Sequence, residues 1–250
     1  MKFVDCHAHL TDKRFTLSDY DFKGFAVVNS GYDRESSFKA QTLSQKYDDF
    51  YFTCGIQPEE IREGWKDFLA EIPTLADDEK CVAIGECGLD YHYVKDNKEL
   101  QKEVFIEQIK IAYELKKPIV IHSRDCANDA FTVIKEHIAL LKYGFMLHCY
   151  SDSKELAKEY AKLGAYFSFG GVITFKNAKK EEVLLSIPKD RILSETDSPY
   201  MSPEPFRGKT NISLNIPYIV KKMSQMYEES DEQMKKILYE NACRFFGKEL

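Results

Sequence analysis

The chain has 250 residues, 44% hydrophobic and 30% charged, with a formal net charge of -6. These values exclude a disordered or collagen-like chain. The acidic balance excludes nucleic-acid binding by bulk attraction, so a polyanionic substrate would need a local positive field.

In chain order, the first informative stretch is Phe3-Val4-Asp5-Cys6-His7-Ala8-His9-Leu10. Side chains alternate along a strand, so His7 and His9 are expected on one face, with their ring nitrogens converging on a point as a metal requires. Asp5 is expected to share that face, with Cys6 and Ala8 turned away. Asp5, His7 and His9 also interrupt any signal-peptide pattern. No run of about 18 apolar residues follows, so no membrane partner is expected and the default location is the cytoplasm. The count of 7 cysteines is odd and no CxxC pair occurs, which suits reduced thiols. Cys6, Cys87 and Cys149 each adjoin a candidate ligand and are expected to be small apolar fillers under a helix layer.

Apolar segments recur at Phe3 to Asp5, Phe25 to Asn29, Phe50 to Cys54, Val82 to Gly85, Ile119 to Ile121, Phe145 to Leu147, Tyr166 to Phe169 and Ile192 to Glu195. Polar loops and helical periodicity follow nearly all of them. The clearest helix runs from about Leu100 to Lys116, with Val104, Phe105, Ile109, Ala112 and Tyr113 on one stripe and Pro118 as its stop. A second runs from Ser153 to Leu163 before Gly164. A third follows the capping-box pair Ser230 and Gln233 and ends at Phe246-Gly247. Strands alternating with helices over this length predict an α/β fold, a (β/α)8 TIM barrel, as one domain over residues 1–250. An open doubly wound sheet is the alternative. The first strand lacks the Gly-rich phosphate loop of its dinucleotide-binding version.

In such a barrel, chemistry sits at the C-terminal ends of the strands. Those ends carry His7 and His9, then Glu86, His122, His148 and Asp197. Four imidazoles and two carboxylates exceed the needs of one open catalytic ion but suit two that share a bridge, for which Glu86 is the natural residue. A pair of divalent ions roughly 3.5–4 Å apart could hold a hydroxide nucleophile. Their net positive charge would draw a phosphate to a chain that is acidic overall. Magnesium, zinc and manganese are the candidates, imidazole favouring the transition metals and magnesium preferring oxygen.

The stretches VDCHAHL, AIGECGLDYH, QKEVFIEQIKIAYELKKPIVIHSRD, LHCYSDS, SETDSPY, RGKTN and ENACRFFG together resemble the TatD family of metal-dependent deoxyribonucleases, within the amidohydrolase-like barrels. The resemblance implies a barrel hydrolase with His7, His9, Glu86 and Asp197 around one metal and Glu86, His122 and His148 around the other. It further implies DNA as substrate, with 3'-5' exonuclease action on single strands. One position departs: where the family has Gly-x-His-Pro, this chain has Gly55-Ile56-Gln57-Pro58, and Gln57 cannot ionise near neutral pH.

Asp197 is the expected general base as well as a ligand. Asp90 is expected either to anchor a loop or to orient a ligand. Arg124, Arg207, Lys209 and Asn211 are the candidate substrate contacts, the cations through phosphate. Lys176, Lys179 and Lys180 read as a solvated face, Tyr91 and Tyr200 as packing, and His92 and His137 as non-functional. A barrel hydrolase of small amides, lactones or phosphate esters is the second reading. A non-catalytic nucleic-acid-binding or scaffold protein is the third. No obligate protein partner is inferable.

Overall fold

Short runs rich in Val, Ile, Phe and Tyr form strands because branched and aromatic side chains fit a pleated surface buried on both faces. The computed structural model describes residues 1–250 and contains eight such strands. They are β1 (Phe3–Ala8), β2 (Phe25–Ser30), β3 (Phe50–Cys54), β4 (Cys81–Asp90), β5 (Ile119–Arg124), β6 (Phe145–Leu147), β7 (Tyr166–Phe169) and β8 (Ile192–Ser194). All neighbours pair in parallel and in chain order. β8 returns to β1, where the Asp197 N–H donates to the His7 carbonyl at 3.0 Å and the His9 N–H to that of Ser198 at 2.7 Å. The eight helices are α1 (Arg34–Ser44), α2 (Trp65–Ala76), α3 (Lys98–Glu114), α4 (Ala127–Glu136), α5 (Lys154–Lys162), α6 (Glu181–Leu185), α7 (Ile216–Tyr227) and α8 (Asp231–Phe246). This is the (β/α)8 barrel expected from the alternation of elements. Ser153 caps α5 and Ser230 caps α8, each hydroxyl accepting an N–H three residues on. No helix is long and apolar enough to cross a membrane.

Two cores hold the barrel together. One draws on all eight strands, from Val4 and Val28 through Tyr51, Val120 and Met146 to Leu193, so it fills the barrel interior. Phe245, Phe246 and Leu250 at the end of α8 close it. The other lies between strands and helices, with Phe52, Phe105, Ile109, Phe145 and Phe167 among its fully buried members. Each such side chain contributes about 1.5–3 kcal/mol of transfer free energy.

Two strands depart from simple alternation, both at the future site. In β1 the register with β2 shifts between Asp5 and Ala8. Asp5 therefore does not share a face with His7 and His9: it accepts from the Thr196 N–H at 2.8 Å and pairs with the Thr196 hydroxyl at the β8 seam. Cys6 turns into the barrel interior with Val4, not beneath the helices. Cys87 does lie under the helix layer, whereas Cys149 is half-buried on the wall of a cavity. In β4 the strand runs on to Asp90, past the expected Gly85, because it keeps pairing with β5 through Gly88–His122 and Asp90–Arg124. Gly88 makes this possible: its φ is +135°, and a Cβ there would lie 2.0 Å from the His122 carbonyl oxygen.

Candidate metal centre

The strand ends bring six side chains to one place. From β1, His7 Nε2 and His9 Nε2 lie 3.2 Å apart. From β4, Glu86 reaches both sides of the cluster. Its Oε2 is 3.4 Å from His7 Nε2 and 3.5 Å from His9 Nε2. Its Oε1 is 3.0 Å from both His122 Nδ1 and His148 Nε2, contributed by β5 and the end of β6. Asp197, just past β8, places Oδ1 3.4 Å from His9 Nε2 and 3.8 Å from His7 Nε2. Donor atoms within 4.8 Å of one another form three groups: His7-His9-Glu86, Glu86-His122-His148 and His7-His148-Asp197. Glu86 is thus common to the first two groups, whose histidines are those that the family resemblance assigns to two ions, while Asp197 groups with His7 and His148.

The surrounding bonds fix which nitrogens face inward. His9 Nδ1 lies 3.3 Å from the Ser30 carbonyl, a partner that can only accept. Donation from Nδ1 to that carbonyl leaves Nε2 facing the cluster, where a cation would take its lone pair. His122 Nε2 lies 2.9 Å from Asp90 Oδ2, which leaves its Nδ1 facing His148 Nε2 at 3.0 Å. A buried Glu86 Oε2 with no hydrogen-bond donor is a poor arrangement for protein groups alone. Imidazole lone pairs and carboxylate oxygens converging in this way fit divalent cations.

The charges are set by the same neighbours. Burial pushes the Glu86 carboxyl up, but the imidazoles of His148, His122 and His7 outweigh burial and hold it well below the usual carboxylate range. Burial, reinforced by His148, pulls His7 down to about 4 and so keeps it neutral at pH 7. In the metal-free chain burial of His122 is overcome by Asp90 and Glu86, which raise it to about 10; a cation at the cluster would displace the proton from Nδ1 and leave the one held by Asp90. Burial works against the charged form of Asp197, yet hydrogen bonding to His9 and the neighbouring His148 imidazole keep its pKa below the usual value.

A shell of buried polar bonds holds these groups. Asp90 is fully buried and orients His122, while its Oδ1 accepts from the N–H groups of His92 and Tyr93 at 2.8 Å each. Glu195 sits beneath His148, its Oε2 3.9 Å from His148 Nδ1 and bonded to the Ser168 hydroxyl. Burial, then the Asp197 charge, push its pKa well above the usual range. Two glutamines occupy the apolar stripe of α3. Gln101 binds the Asp90 backbone through both ends of its amide. Gln108 accepts from the Ile56 N–H at 2.8 Å and donates to the Ile56 carbonyl at 3.0 Å, fixing the turn that carries Gln57. Replacing Gln108 with leucine leaves both Ile56 groups buried and unpaired. We expect a loss of about 2–4 kcal/mol in urea unfolding of the metal-free chain. A polar residue at i and i+7 inside an apolar helix stripe is the signal that marks this pair.

The substrate-contact candidates divide. Arg124 and Gln57 line the same cleft of about 550 Å3 as His9, Glu86 and His122. The Arg124 guanidinium lies over Tyr93 at 4.6 Å. Arg207 is exposed and stacks on Phe175 at 4.4 Å, while Lys209 is exposed near Phe206. Neither lines the cavities around the histidines. Asn211 is fully buried, and its amide nitrogen is spent on the carbonyls of Thr196 and Tyr200 at 2.8 Å each. It therefore clamps the loop after β8 and does not face the cleft. Tyr91 is packed against α4 through a bond to Asp129 at 2.8 Å, whereas Tyr200 is 50% exposed at the cleft. Lys180 is half-buried on a cavity wall, not on a solvated face. His92 pairs with Asp125 at the surface, and His137 bonds the Val133 carbonyl.

Comparison with known proteins agrees with this geometry. A family model described as TatD related DNase matches residues 4–247. The chain is 41% identical over 250 residues to the "Uncharacterized metal-dependent hydrolase YabD" of Bacillus subtilis, covering 97% of this chain and 98% of the relative. It is 35% identical over 257 residues to the "Uncharacterized metal-dependent hydrolase YcfH" of Escherichia coli K12, covering 98% and 96%. Among solved structures, the TatD homolog YJJV from Escherichia coli superposes with a TM-score of 0.88 at 25% identity over 98% of both chains. A TatD family hydrolase from Entamoeba histolytica shares the fold, with a TM-score of 0.82 at 21% identity over 98% of both chains.

Proposed function

We propose that this chain, which belongs to the family of TatD related DNases and is a metal-dependent hydrolase, cleaves the phosphodiester bonds of DNA. The observation that carries the reading is Glu86, whose two oxygens face two separate sets of imidazoles from one buried position. His7, His9, Glu86 and Asp197 would hold one divalent ion, and Glu86, His122 and His148 a second. Such ions supply Lewis acidity to a phosphoryl oxygen and acidify a nearby water.

The chain's own residues do the rest. Asp197 stays ionised, so its free oxygen can take the proton of an attacking water. Arg124, held over Tyr93 at the cleft, offers a forked donor to the phosphate. Asp90 keeps His122 in the tautomer that turns Nδ1 to the cluster. Release of nucleotides from the 3' ends of single strands follows from the family resemblance. The seven thiols are all free, which suits the reducing cytoplasm.

The test is digestion of end-labelled single- and double-stranded DNA by the full chain loaded with magnesium, manganese or zinc. We expect metal-dependent release of mononucleotides from single strands. A folded, metal-loaded chain that cleaves neither substrate with any of these metals overturns the nuclease reading. A second reading, hydrolysis of a small ester, is favoured by the cleft wall of Asp12, Glu59 and Glu60, which repels a long polyanion. Gln57, where the family has histidine, points the same way. Turnover of a small-ester panel without DNA cleavage selects it.

A further inference from the structure

The strand ends divide unequally around the metal centre. β7 supplies no ligand, and above its end lies a separate cavity of about 280 Å3. His122, His148 and Asp197 form its inner wall, so it opens directly onto the catalytic cluster. Tyr150, Phe169, Val172, Ile173 and Met201 supply its apolar lining, beside the polar Ser123 and Ser151. Tyr150 is buried and its hydroxyl is already bonded to the Ser153 carbonyl at 2.9 Å, so it offers a ring surface rather than a polar tip. The wall is built, not accidental. Gly171 packs so closely under the loop after β8 that a Cβ would lie 2.1 Å from the Met201 carbonyl oxygen. The Thr174 hydroxyl accepts from the Glu204 N–H at 2.9 Å and ties the same two loops.

Charge is segregated in the same sense. Lys180 stands on this cavity alone, and Arg124 on the edge that it shares with the neighbouring cleft. Lys180 donates to the Ser151 carbonyl at 2.7 Å, which holds its ammonium at the wall. The neighbouring cleft carries Asp12, Glu59 and Glu60 instead. A phosphodiester chain at the cluster is therefore repelled toward one side and attracted to the other. A volume of about 280 Å3 lies just below the usual span of ligand pockets, about 300–1,000 Å3. It admits one flat ring system and not an oligomer. Aromatic and apolar walls bind such rings with little regard to sequence, because every base has a π-face.

We propose that this cavity is a subsite for a single nucleobase, that of the nucleotide whose phosphate lies at the metal centre, with Arg124 and Lys180 gripping the adjoining backbone. The inference rests on the nuclease reading and names where that substrate sits.

The test is calorimetric titration of the metal-loaded full chain with deoxyadenosine monophosphate and with 2-deoxyribose 5-phosphate, which lacks the base. The expected result is at least a tenfold tighter Kd for the nucleotide. Val172→Trp fills the cavity and is expected to bring that ratio below twofold. Equal affinities in the unmodified chain overturn the subsite, with no variant needed. So does a Val172→Trp chain with native circular dichroism that keeps the full ratio. DNA cleavage is read separately. A chain that cleaves DNA but binds both phosphates equally has lost only the subsite. A chain that prefers the nucleotide yet cleaves no DNA keeps the subsite and loses the nuclease reading.

Discussion

Replacing Asp197 with asparagine lowers metal-dependent turnover by about a thousandfold and leaves the fold intact. The two halves of this expectation have separate causes. Asp197 has a φ of +53°, in the left-handed region that side chains other than asparagine and aspartate adopt at a cost. Asparagine keeps that backbone and the Asp197 N–H bond to the His7 carbonyl at 3.0 Å. It also keeps one oxygen near His9 Nε2, now 3.4 Å from the carboxylate. What it loses is negative charge and the capacity to accept a proton. General-base catalysis is worth about a hundred- to ten-thousandfold, so the loss falls on kcat. Thermal melting and kcat measured side by side check both halves. Turnover within tenfold of the unmodified chain removes Asp197 from the chemistry. Asp197→Ala adds about 1–2 kcal/mol of backbone strain on top of the same catalytic loss.

The clustering of the six residues was readable because a barrel gathers strand ends that lie far apart in sequence. His7, Glu86, His122, His148 and Asp197 each follow an apolar run, and the fold does the rest. What escaped was local irregularity and long-range pairing. Alternation assigned Asp5 to the ligand face, but the register shift in β1 sends it to Thr196. Nothing short-range marks that shift. Asn211 sits in a motif full of cations and so suggests substrate, yet its partners are carbonyls 11 and 15 residues upstream. Lys180 looks like one more surface lysine until the loops after β7 and β8 close around it. Gln101 and Gln108 are polar residues in an apolar stripe, and only the turns they hold explain their place. In each case the deciding partner lies well away along the chain, in all but Asn211 on another strand end or loop.

Glu86→Gln is the sharper probe of the metal centre, because it changes one atom and a charge at the point where the two ligand sets meet. Glu86 is 2% exposed, so isolated burial of its charge would cost several kcal/mol. Four imidazoles offset that cost in the metal-free chain, and divalent ions would offset it further. Glutamine is nearly isosteric and uncharged. One of its two ends must present an N–H pair in place of a carboxylate oxygen that faced imidazole nitrogens. The metal-free variant is therefore expected to stay within about 1–2 kcal/mol of the unmodified chain, relief from burying a charge balancing the weaker bonds. The loaded state behaves differently. Losing a negative ligand from both sets is expected to weaken metal binding by at least about a hundredfold. Since ions that bind only the folded chain stabilise it by mass action, about 2.7 kcal/mol at a hundredfold excess over Kd, the metal-induced rise in Tm should largely vanish. Melting curves with and without chelator, on both chains, give the comparison. If metal raises the Tm of Glu86→Gln as much as that of the unmodified chain, Glu86 is not a ligand and the shared-carboxylate account of the site falls.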